Sequence, residues 1–263
     1  MNWWGKLIGG TFGFMLGGPL GALLGTVLGH NFDKGLQGIH YQGDFTSGDP
    51  QRIKAAFFTA TFSLMGHVCK ADGRVTPDEI NTARLIMSQM ELSPEQRKTA
   101  IALFNQGKNA DFPLEEILLQ FRKEIGHSIN IKRMFIEIQC HAAYADGVVH
   151  SDEKRLLLNV CDLLKFPRHE FESMVIAIGA QIHHQQSTHG TGVAGMSLED
   201  AYKILNIPAT ASKQEVKRAY RRLTSQHHPD KLVSKGLPEE MMKVATERTH
   251  EIRQAYEKIN QGM

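Results

Sequence analysis

Lys217-Arg218-Ala219-Tyr220-Arg221-Arg222-Leu223-Thr224-Ser225-Gln226-His227-His228-Pro229-Asp230-Lys231 is a basic helical pattern that runs into a proline turn. Val216, Ala219, Tyr220 and Leu223 fall at i, i+3, i+4 and i+7, one face of a helix. Lys213, Lys217, Arg218, Arg221 and Arg222 lie mostly off that face. Ser212 and Glu215 have capping-box spacing, so the helix is predicted to start near Lys213. It is predicted to end near His228, because a residue before proline avoids the α region. Pro229 has a fixed φ and no N–H, which predicts a stiff, exposed turn with Asp230 and Lys231 just beyond it.

Two further helices frame this one. Ser197 opens a short pattern whose Ala201, Ile204 and Leu205 share a face, and Pro208 closes it. After Pro238 a long run places Ala245, Ile252, Ala255, Tyr256 and Ile259 at near-helical spacing. A short helix, two longer antiparallel helices and a tip bearing His228-Pro229-Asp230 resemble the J domain of DnaJ-type co-chaperones, over residues 197–261. The resemblance implies a docking surface for a DnaK-type chaperone. In it His228, Pro229 and Asp230 act as the trigger for ATP hydrolysis, and Lys213, Lys217, Arg218, Arg221 and Arg222 steer the encounter. Tyr220 is expected to pack inside the helical hairpin. Cys69, Cys140 and Cys161 all precede this segment and none has zinc spacing, so the zinc-finger part of DnaJ is not expected. Client selection is expected to lie before residue 190 or in another protein.

At the other end, Leu7 to Leu28 carries no charged residue. As one helix it would span about 33 Å, which matches a bilayer core. Trp3 and Trp4 sit at one end beside Lys6, and His30, Asp33 and Lys34 restore polarity at the other. Glycines recur every fourth residue, including Gly9, Gly13, Gly17, Gly21 and Gly25. Such a ladder lets transmembrane helices approach closely, so residues 1–30 are read as a membrane anchor that packs on a second copy. A cleaved signal peptide fits less well, because the n-region carries only Lys6 and no clear cleavage site follows. The flanking charges do not fix the orientation.

Residues 50–180 read as one helical domain. Helices are predicted near 51–70, 77–91, 94–106, 113–126, 130–145, 151–165 and 167–184, separated by turn signals such as Ser93-Pro94 and Phe166-Pro167. Phe57, Phe58, Phe62, Leu64, Met65, Met134, Phe135, Ile136 and Ile138 supply apolar surface for one core. An internal repeat lies within it: His67 to Glu79 matches His141 to Glu153, with His, Ala, Asp, Gly, Val, Asp and Glu coinciding. The repeat resembles the TerB-like family, a helical group linked to tellurite resistance and envelope stress. Gly73 and Gly147 are predicted to take a left-handed position ending a helix, and Thr76 with Glu79 to form a capping box with Pro77 at N1. Asp72, Glu79, Asp146 and Glu153 are read as caps ahead of a metal cluster, and His67 and His141 as packed side chains. Residues 181–196 are polar and glycine-bearing, which predicts a flexible linker on which the C-terminal module swings.

A net charge of +2 over 263 residues argues against wholesale nucleic-acid binding. No nucleophile–base pairing, phosphate loop or zinc set is visible, so neither catalytic residues nor a metal or cofactor is expected. The expected fold is all-α: a transmembrane helix, a duplicated TerB-like domain and, over 197–263, a J-domain hairpin. That order resembles membrane-anchored DnaJ-like co-chaperones. It implies a single-pass inner-membrane homodimer with a periplasmic N-terminus and cytoplasmic domains, which stimulates a DnaK-type ATPase and is linked to envelope stress. The alternative is a membrane-tethered sensor or adaptor whose TerB-like domain binds metal or a partner while the J domain only recruits the chaperone.

Overall fold

The structure is a computed structural model and describes residues 18–27, 50–71, 73, 75–90, 92–144, 147, 149–190, 196–234, 237 and 241–262. Among the described residues every regular element is a helix. The elements are α1 (18–27), α2 (Pro50–Val68), α3 (Pro77–Gln89), α4 (Pro94–Gly107), α5 (Leu114–Ile125), α6 (Ile129–Ala143), α7 (Ser151–Leu164) and α8 (Arg168–Gly190). The C-terminal group is α9 (Leu198–Ile204), α10 (Lys213–His227), α11 (Pro229–Val233) and α12 (Met242–Gly262).

Local chemistry sets most of the helix starts. Thr76 and Ser93 accept from the N3 amides of α3 and α4, while Glu79 and Gln96 reach back to the cap N–H, and a proline follows at N1 in both. These are the amides a helix cannot satisfy itself. Gly73 and Gly147 take φ of 90° and 93°, as the repeat predicts, a region that side chains with a Cβ resist.

The core is built around α2, which is buried along most of its length from Ala56 on and packs on α4, α5 and α6. Phe57, Phe121 and Phe135 are fully buried, with ring centroids 4.5 to 6.0 Å apart. Each such side chain contributes about 2 to 3 kcal/mol by leaving water. Two glycines bring α2 and α4 into backbone contact. A Cβ on Gly66 would stand 1.9 Å from the Phe104 carbonyl oxygen, and one on Gly107 would stand 1.8 Å from that of Ser63. Arg52 and Glu124 close one side of α2 against α5 with two hydrogen bonds of 2.7 Å.

The C-terminal group has its own core, in which Ala201, Leu205, Val216, Ala219, Ile252, Ala255 and Ile259 are buried. Tyr220 stacks on Tyr256 at 4.3 Å, inside the α10–α12 hairpin as expected.

Two expectations are corrected. The segment read as a flexible linker is helical over 181–190, because α8 runs on to Gly190; Gln and His are tolerated in a helix, and no proline or glycine interrupts the run after Gly179. Residues 191–195 lie outside the described residues. The C-terminal group is docked rather than swinging: Leu232, Leu237, Met241 and Ala245 join the apolar cluster of α2–α8. Gln89 also donates to Glu247 at 2.9 Å.

Of the apolar N-terminal run, residues 18–27 are described, and they are helical. Gly18 takes φ of 63° immediately before Pro19, and Gln120 Oε1 accepts the Leu20 N–H at 2.7 Å. Leu20, Leu23 and Val27 are buried in the α2–α8 cluster, and Gln106 donates to Thr26. No described helix is long and apolar enough to cross a membrane. Gly9, Gly13 and Gly17 lie outside the described residues, whereas Gly21 and Gly25 sit half-buried beside the packed face of α1.

Candidate functional site: a basic helix and its tip

α10 carries the site because its two faces are chemically distinct. Ser212 accepts from the Glu215 amide at 3.4 Å, and its own N–H donates to Glu215 Oε2 at 2.7 Å. The Ser212 N–H and then its hydroxyl, which donates to Glu215 Oε2 at 2.8 Å, hold the Glu215 carboxyl below its usual range. Val216 and Ala219 then anchor one face in the hairpin core. On the other face Lys213, Lys217, Arg218, Arg221 and Arg222 are all exposed. Among the described residues no acidic partner neutralises them.

The helix ends where the chain reaches the proline. His228 leaves the α region at φ −63°, ψ 120°, and Pro229 starts α11 at its first position. The tip is therefore the first turn of a short helix rather than the free turn predicted. Asp230 is exposed, Pro229 and His228 are half-buried, and Lys231 Nζ donates to Ser225 at 2.8 Å. His228 Nδ1 itself is buried without a hydrogen-bond partner. So the predicted cations and the tip do fall on one continuous surface, with the tip partly covered.

Behind the tip lies a charged cluster that joins the two helical groups. Glu137 on α6, with its side chain 6% exposed, is 2.7 Å from Arg248 on α12 and 3.5 Å from His227 Nδ1 at the end of α10. Arg248 also holds Glu251 at 3.0 Å, and the His227 carbonyl accepts from Thr249. Burial drives His227 down to about 4, so at neutral pH it is an uncharged ring. Burial alone would raise Glu137, yet the Arg248 guanidinium and the other nearby cations hold it below its usual range. Arg133 pairs with Glu170 nearby, and a half-open cleft of about 230 Å³ runs between these groups and Arg222. A glutamate inside Met134-Phe135-Ile136-Glu137-Ile138 is the sequence signal that this stretch holds a buried charge.

The described repeat residues Glu79, Glu153 and His67 serve local structure. Glu79 and Glu153 are buried and accept the cap amides of Thr76 and His150 at 2.6 and 2.9 Å. His67 Nδ1 lies 3.1 Å from the Gly107 carbonyl, so it is packed as expected. Asp72 and Asp146 lie outside the described residues.

Family comparisons match three parts of the chain. The Co-chaperone DjlA transmembrane domain matches residues 1–39, the Tellurite resistance protein TerB family matches residues 58–175, and the DnaJ domain matches residues 200–261. Among similar curated proteins, the Co-chaperone protein DjlA of Photobacterium profundum is 40% identical over 269 residues, covering 97% of each chain. The protein of that name from Coxiella burnetii is 42% identical over 265 residues, covering 98% of this chain and 97% of its own. That from Vibrio cholerae is 42% identical over 280 residues, covering 98% of each. No solved structure matches. With relatives of this identity over nearly the whole length, and a described fold that presents the basic hairpin of a DnaJ domain, the chain belongs to the DjlA family of membrane co-chaperones.

Proposed function

We propose that the chain stimulates ATP hydrolysis by a DnaK-type chaperone. The exposed cations of α10 steer the encounter, and His228, Pro229 and Asp230 act as the trigger. The observation that carries this reading is the arrangement of Lys213, Lys217, Arg218, Arg221 and Arg222, exposed and without an ion-pair partner among the described residues, leading straight to an exposed Asp230. Such a field favours an acidic partner and raises its association rate, in a way that salt screens. Pro229 fixes the backbone at the tip, so little conformational entropy is lost when a partner grips it. The chain supplies no chemistry of its own in this scheme.

Membrane attachment keeps the module near membrane-associated clients. A DnaK-type partner consumes ATP, which places the TerB and DnaJ domains in the cytoplasm and the N-terminus in the periplasm. The glycine ladder that includes Gly9, Gly13, Gly17, Gly21 and Gly25 serves homodimerisation, since small residues let helix backbones meet in lipid. A role in the envelope-stress response fits a chaperone activity held at the membrane. The reading is tested with the full chain by single-turnover ATP hydrolysis of a DnaK-type chaperone. His228→Gln keeps the size and polarity of the tip but removes the imidazole, and stimulation is expected to fall to the basal rate.

A further inference from the structure

The function above treats α10 and its tip as an open surface, yet the tip is tied to the TerB domain. We propose that Glu137 is the positioning residue of a clasp: it grips Arg248 beside His227, holds the DnaJ domain against α6, and restrains the His228-Pro229-Asp230 trigger. This rests on the reading that those three residues act on a DnaK-type chaperone.

Three independent observations meet here. The first is the ionic contact itself, with Glu137, Arg248 and His227 side chains only 6%, 10% and 5% exposed. A buried ion pair is seldom the most stabilising way to join two apolar surfaces, and its best-attested use is to fix one register. The second is apolar. Leu232, three residues past Pro229, and then Leu237, Met241 and Ala245 lie in the TerB core cluster, so the segment leaving the tip is embedded in the neighbouring domain. The third is the state of the trigger. His228 Nδ1 is buried with no partner, although the cations of α10 and the Asp230 carboxylate stand open. An orphaned buried nitrogen is unfavourable, and the penalty is removed when the ring turns out and meets a polar group.

These observations separate two steps. The clasped chain can attract a partner, because the steering charges are free. It holds the imidazole back, because His228 Nδ1 is buried. α6 connects the two ends of the device: Glu137 lies on it, and its C-terminus leads into the second copy of the acidic repeat at Gly147. A ligand or partner that moves α6 would thereby open the clasp.

The test uses the full chain in lipid nanodiscs. Gln89 and Glu247 touch across the same interface at 2.9 Å, so a Gln89→Cys/Glu247→Cys chain can be bridged by a short bis-maleimide, while the native Cys69, Cys140 and Cys161 are buried. The bridged chain is expected to keep the half-saturating concentration of the DnaK-type chaperone but lose its maximal stimulation several-fold. Glu137→Gln is expected to raise maximal stimulation several-fold, again at an unchanged half-saturating concentration. A merely structural role would not split the two parameters in this way. Failure of the bridge to form, or full stimulation by both chains while His228→Gln is inactive, overturns the clasp and leaves the co-chaperone reading standing. Undiminished stimulation by His228→Gln overturns that reading, and the clasp with it. Should Glu137→Gln fold poorly, the bridged chain decides alone, since it leaves the ion cluster unaltered.

Discussion

His227 and His228 are neighbours with opposite surroundings. His227 is 4% exposed and faces Glu137, whereas His228 is half-exposed at the tip. Burial holds His227 near 4, well below the free value of 6.5. The unfolded chain therefore takes up this proton first as the pH falls, and stability declines from about pH 6.5 down to about pH 4 and then levels for this group. Glu137 adds a second loss at lower pH, as it protonates through its depressed folded value. Urea unfolding at pH 7 and pH 5 is expected to differ by on the order of 2 kcal/mol from His227 alone, and a His227→Asn chain to lack that part of the slope. An identical pH dependence in both chains would contradict the buried neutral ring. The cations of α10 call for a different measurement. Arg218→Ala/Arg221→Ala is expected to raise the half-saturating chaperone concentration several-fold at low salt, with the difference shrinking as salt rises. Residue chemistry was legible in the sequence where it was local: the Ser212–Glu215 and Thr76–Glu79 caps and the inward Tyr220 all follow from spacing. The Glu137–Arg248 contact was not, because no periodicity links α6 to a residue so far along the chain.

At the scale of elements, proline and glycine mark most helix ends, which is why the helices from α2 to α7 and α10 lie close to their predicted bounds. They also explain the misreadings. The sequence around Pro229 signals a turn, but proline is equally at home at the first position of a helix, where it lies here. α8 outruns its predicted end because polar composition alone does not distinguish a helix from a linker. The α2–α4 crossing gives the sharpest test at this scale. Gly66→Ala places a methyl group 1.9 Å from a backbone oxygen, an atom that cannot move without shifting α4. Expected destabilisation is about 3 kcal/mol in urea unfolding. A loss near zero would mean that the two helices do not meet there.

The whole molecule combines an apolar N-terminal segment, a TerB domain and a DnaJ domain that share buried surface. The all-α class and the order of the parts were visible in the sequence, since each rests on local patterns. The docking of the DnaJ domain was not, because a domain interface is assembled from residues that look like ordinary core in either partner. Leu232 and Met241 are examples, each equally consistent with a hairpin core of its own. That docking makes the molecule a coupled unit whose output depends on how the tip is held. The output itself is a partner's rate of ATP turnover. Single-turnover hydrolysis by a DnaK-type chaperone, measured with the full chain and with its His228→Gln variant, tests this most directly. The native chain is predicted to accelerate hydrolysis and the variant to leave it at the basal rate; equal acceleration by both would contradict the account.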